Sequence, residues 1–74
     1  MKIKSLGANQ TEVETKLGTV FVSYKTPVAI KMNDGTGFFR TEQKFSVTTT
    51  RHINKWLDGR KCSTKPQSFF DEVI

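Results

Sequence analysis

The chain has 74 residues, with 12 Lys and Arg against 7 Asp and Glu, a net charge of +5. That length holds one domain, and surface scaling lets roughly 62% of the unfolded chain's surface be buried, enough for one small core. So small a core counts against a self-contained enzyme, an aromatic content of 11% argues against a disordered tail, and no apolar run nears the ~18 residues of a membrane span.

The first strong element is Thr11–Leu17, where Val13, Thr15 and Leu17 alternate with Glu12, Glu14 and Lys16. Leu17-Gly18 marks a turn, and Thr19–Tyr24 is rich in β-branched and aromatic residues, so the two segments form a hairpin. Val28, Ile30 and Met32 face together on the next strand, which Pro27 places at an edge or after a bend. Asn33-Asp34-Gly35 is a hairpin turn leading into a return strand, Gly37–Glu42. Lys44–Thr48 reads as a further strand, with Phe45 and Val47 on one face. The period then changes. Ile53, Trp56 and Leu57 share one helical face, so a helix is expected over Thr49–Asp58, capped among Thr48, Thr49 and Thr50 and closed by Gly59. Ser68–Ile74 reads as a short final helix that Ser68 caps and Asp71 and Glu72 support near its positive end. The expected fold is α+β: an antiparallel β-meander of four to five strands packed by one short helix, plus a short C-terminal helix.

The charge is unevenly placed. Residues 40–65 carry seven cations against Glu42 and Asp58, whereas residues 66–74 carry only Asp71 and Glu72. All three arginines lie in that basic segment, and arginine suits bidentate contact with phosphate or carboxylate. Arg51 and Lys55 are four apart and project from one side of the expected helix, and Arg40 and Lys44 extend that side. Thr50 and His52 stand within the same stretch, and Arg60 and Lys61 follow it. These eight residues are the candidate anion-binding set; the bland reading is a helix whose apolar face fills the core and whose charges are merely solvated. Tyr24, Phe38, Phe39 and Trp56 are the candidate aromatic contacts, although Trp56 shares a face with Ile53 and so reads first as core. Phe38 and Phe39 are adjacent on a strand and point to opposite faces, so either the sheet is covered on both sides or one Phe marks an interface.

Chemistry beyond binding finds little support. His52 and Cys62, the only His and the only Cys, lack the partners of a nucleophilic site. A single cysteine also rules out an internal disulfide and a four-cysteine zinc site. Asn33–Gly37 lacks the lysine and the following helix of a phosphate-binding loop. No cofactor or metal is expected. The N-terminus lacks the apolar core of a secretory signal, so a cytoplasmic location with no membrane association is expected.

The strings Leu6–Val13, Ser23–Ala29 and, above all, Arg40-Thr41-Glu42-Gln43-Lys44-Phe45-Ser46-Val47-Thr48-Thr49-Thr50-Arg51-His52-Ile53-Asn54-Lys55-Trp56-Leu57 resemble a family of very small proteins of unknown function encoded by bacteriophages and phage-derived elements. The resemblance spans nearly the whole chain. It implies a phage origin, and hence a host bacterial cytoplasm, and it offers no site residues to carry over. In that setting the expected function is a non-enzymatic binding protein whose basic face engages nucleic acid or a nucleoprotein complex, modulating host machinery or defence as anti-CRISPR proteins do. The alternatives are an oligomeric sponge for a nucleotide immune signal and an inhibitor that meets a host protein through an exposed aromatic patch. A homodimer would also enlarge the small core.

Overall fold

The computed structural model describes residues 2–7 and 9–73. Six strands, β1 (Lys2–Gly7), β2 (Gln10–Glu14), β3 (Gly18–Ser23), β4 (Thr26–Met32), β5 (Phe38–Thr41) and β6 (Cys62–Lys65), lie side by side in chain order. The helices are α1 (Val47–Leu57), between β5 and β6, and α2 (Gln67–Val73) at the end. The first five strands form an antiparallel meander, of which β2 to β5 match expected strands and β1 does not, but β6 pairs parallel to β5, so the sheet is mixed. A parallel neighbour requires a crossover connection, and α1 supplies it. The count of six exceeds the expected four to five because β1 and β6 form both edges of the sheet. β1 is exposed along its whole length and β6 has the polar sequence CSTK, so neither carries an alternating apolar signal.

Three hairpin turns whose residues are all described, those joining β2 to β5, help fix the register. At the β2–β3 turn the Thr15 N–H and hydroxyl both donate to the Gly18 carbonyl, at 2.8 and 2.9 Å. Leu17 lies in this turn, 46% exposed, rather than on the strand face assigned to it from the alternation. Gly18 also faces the β4 backbone so closely that a Cβ there would sit 2.0 Å from the Lys31 carbonyl oxygen. Gly18→Ala must therefore push β3 and β4 apart, and it is expected to cost about 1–3 kcal/mol in chemical denaturation, as overpacking does. An unchanged unfolding midpoint would contradict this packing.

The β3–β4 turn has Tyr24 and Lys25 at φ 49° and 68°, the two positive values that a type I′ turn demands. Beyond it the register slips between Phe21 and Val22, which pair with Ala29 and Pro27. Val28 is the extra residue of this bulge, so Pro27 sits in an interior strand where the ladder is already interrupted. At the β4–β5 turn the Asp34 carboxylate accepts from the Thr36 hydroxyl at 2.6 Å and its N–H at 3.0 Å. These bonds, the hydroxyl's foremost, hold Asp34 below its ordinary value of 3.8. Their support for the turn is complete above that value and is lost as pH falls through the lowered one. In a carboxyl NMR titration Asp34 is expected to protonate at lower pH than in the Thr36→Ala variant; equal midpoints would contradict the turn geometry.

α1 begins two residues earlier than expected, at Val47 rather than Thr49. Its N-cap is Ser46, whose hydroxyl accepts from the Thr49 N–H at 3.3 Å, so Lys44–Ser46 is a connection and Val47–Thr48 is helix rather than strand. It closes at Asp58, in the left-handed region, with Gly59 following at φ 77°. α2 starts at Gln67 after Pro66, so Ser68 lies inside its first turn rather than capping it, and Asp71 and Glu72 stand beyond that turn, although the Asp71 carboxylate accepts from Gln67 Nε2 at 3.0 Å. Ile74, the last residue of the expected helix, lies outside the described residues.

The two helices cover opposite faces of the sheet. Ile53 and Leu57 of α1 pack on Phe21, Val28 and Ala29, with Phe38, Phe45, Trp56 and Cys62 around them. Phe70 of α2 packs on Val20 and Ile30, with Phe39 and Phe69 among the surrounding residues. Phe38 and Phe39 thus do point to opposite faces, and each is half-buried in a different cluster. The sheet is covered on both sides.

Candidate functional site

The inward side of α1 is Thr49, Ile53 and Leu57, all buried, one turn apart. Arg51 and Lys55 occupy the opposite side and are exposed. No residue of this helix is acidic. Arg40 pairs with Ala29 across the ladder, which places it on the α1 side of the sheet. There its guanidinium donates to Asn54 Oδ1 at 3.1 Å, which fixes the cation against the flank of the helix. Arg40, Lys44 and Thr50 also line one depression of about 370 Å³ beside the start of α1, together with Glu42, Gln43 and Thr64. The structure therefore gathers Arg40, Lys44, Thr50, Arg51 and Lys55 on and beside the outer side of one helix.

The remaining candidates sit elsewhere. Arg60 Nη1 donates to the Leu57 carbonyl at 3.2 Å, and its guanidinium lies 5.5 Å from the Phe38 ring centroid. That carbonyl also accepts from the Arg60 backbone N–H at 3.0 Å, so Arg60 closes the end of α1 with both its main chain and its side chain. Lys61 is exposed beyond it. Lys65 reaches the other layer, where its ammonium lies over Phe39 and Phe69. The basic segment is thus divided between two faces.

His52 and Trp56 dock α1 on the sheet. His52 Nδ1 lies 2.9 Å from the hydroxyl of buried Ser23, and the ring stacks on Tyr24. The Trp56 indole stacks on Phe21 with centroids 5.2 Å apart, meets Phe38 edge-on, and donates from Nε1 to Glu12 Oε2 at 2.6 Å. Ser23, Glu12 and Asn54 are partners that sequence reasoning missed. For Glu12 a signal existed: an indole N–H in a core needs an acceptor, and Glu12 stands opposite Phe21 on the face that Trp56 covers. Among the described residues no group of three or more His, Cys, Asp or Glu is arranged to hold a metal ion. None of their helices is long and apolar enough to cross a membrane.

A small mixed-sheet α/β protein with a helix on each face, one of them basic on its outer side, is what fold and site define. The chain belongs to a family of unknown function, DUF8033, whose family model matches residues 1–72. No curated protein and no solved structure matches it.

Proposed function

We propose that the protein is a non-enzymatic binding module whose α1 face engages an anionic polymer, a nucleic acid or its complex with protein. The observation that carries this reading is the outer side of α1, where exposed Arg51 and Lys55 stand on a helix without acids and Asn54 holds Arg40 alongside. A guanidinium held in place loses less side-chain freedom when it meets a phosphate, and its fork suits phosphate oxygens. The module acts by occupying a partner's surface, and the resemblance to phage-encoded proteins makes host machinery or defence its setting. The alternative of a protein inhibitor acting through an exposed phenylalanine patch draws no support from Phe38 or Phe39, each half-buried under a helix.

The test is a mobility-shift series with single- and double-stranded DNA and RNA at about 50 mM salt, where electrostatic binding is strong. A shift with at least one of them is expected. Absence of a shift with all of them would contradict the reading.

A further inference from the structure

The β3–β4 turn carries a side chain that its backbone does not favour. Type I′ turns prefer Asn or Gly at their central positions, and here Tyr24 stands at the first with φ 49°. A bulky residue at positive φ is a conformational outlier, and such strain clusters at ligand sites. Burial does not compensate for it, since Tyr24 is 48% exposed. Its ring lies instead on the His52 ring, with centroids 5.6 Å apart and planes 23° from parallel. His52 is itself anchored by Ser23, which is only 1% exposed. The result is a two-ring stack with a fixed inner ring and an outer ring at the surface. Lys25 is exposed beside Tyr24 in the turn, and Arg51 and Lys55 are exposed beside His52 on α1.

We propose that Tyr24 is a stacking platform for an unpaired nucleobase, and that the partner of the α1 face is a single-stranded nucleic acid. The proposal rests on the reading of that face as a polyanion-binding surface. An aromatic ring next to backbone-tracking cations is the combination by which proteins hold single strands, because every base has a π-face and every link a phosphate. In a duplex the base faces are covered by their neighbours, and the platform has nothing to stack on. One ring reads no hydrogen-bonding edge, so the contact is tolerant of sequence.

The Tyr24→Asn variant removes the ring and suits the backbone better, so loss of folding does not confound it. Tyr24→Phe keeps both the ring and the strain. Fluorescence anisotropy with a DNA strand, an RNA strand and a DNA duplex, each about 12 units long, separates the possibilities. The wild type is expected to bind at least one of the strands about tenfold more tightly than the duplex. Tyr24→Asn is expected to lose about tenfold on that strand, with duplex affinity and melting temperature not reduced, and Tyr24→Phe to match the wild type. Strand affinity unchanged in Tyr24→Asn, or no preference of the wild type for either strand over the duplex, overturns the platform and leaves the basic face standing. Failure of the wild type to bind any of the three overturns the platform, and failure to bind an RNA duplex as well overturns both.

Discussion

Phe70→Ala is expected to lower the stability of the protein by about 3–5 kcal/mol, the range for removing a buried phenylalanine ring. Phe70 is fully buried between Val20 and Ile30 and meets Phe69 edge-on at 5.2 Å. α2 has seven residues, too few to persist as a helix without docking, and Phe70 is its only buried residue. A chain of this length has a total stability on the order of 4–11 kcal/mol, so the loss is a large part of the whole. Urea unfolding followed by circular dichroism and by Trp56 fluorescence measures it. Trp56 lies on the opposite face of the sheet, in the α1 cluster. Both signals are therefore expected to shift together to lower urea, because the two clusters share one sheet. A loss of helix signal with Trp56 unmoved would show instead that α2 docks and undocks independently.

The second large effect is on binding. Replacing Arg40, Arg51 and Lys55 together by Ala is expected to lower nucleic-acid affinity at least about a hundredfold at low salt, since charged hydrogen bonds are worth about 1.5 kcal/mol or more apiece. Arg51 and Lys55 are exposed and Arg40 gives up a single bond to Asn54, so the fold should lose little more than about 0.5 kcal/mol. The matched control is Lys65→Ala, which removes a positive charge from the face that α2 covers. Its affinity is expected to stay within about twofold of the wild type, a difference under ~0.5 kcal/mol. Equal losses in the control and in a single variant such as Arg51→Ala would mean that net charge, and not the α1 face, governs binding.

The sequence showed the interior of this fold better than its edges. β3, β4 and the inward face of α1 bury apolar residues and were plain in the pattern, but the bulge in β4 turns Val28 into the α1 cluster, away from Ile30 and Met32 with which the alternation had grouped it. β1 was illegible because it packs against nothing that selects an apolar face: Ile3 is 71% exposed, and Lys2 and Lys4 flank it. Lysine on an edge strand opposes further pairing, which is a property of the assembled sheet rather than of the segment. β6 depends on a parallel partner 24 positions away, Phe38 opposite Cys62. The start of α1 was displaced because three threonines compete as caps with Ser46, and the local pattern does not rank them. The adjacency of Phe38 and Phe39 left two outcomes open, and the second helix decided between them.

The site was legible as composition and only partly as geometry. The concentration of cations after residue 39 was visible, and α1 does present Arg51 and Lys55 together. What organises them lies at long range: Arg40 with Asn54, Ser23 with His52, and Glu12 with Trp56. No local pattern distinguishes a cation pinned beside the helix from Arg60, which satisfies a backbone carbonyl, or from Lys65, which lies over phenylalanine rings on the opposite face.

The central claim is that the α1 face binds a phosphate backbone, and the salt dependence of affinity tests it most directly. Neutralising three or four phosphates gives a slope of log K against log salt of about −2 to −3.5, depending on whether the bound nucleic acid is single- or double-stranded. That slope is expected for the wild type, and it should flatten toward zero in the Arg40, Arg51 and Lys55 triple variant. A wild-type slope near zero, or one unchanged in the triple variant, would contradict the account.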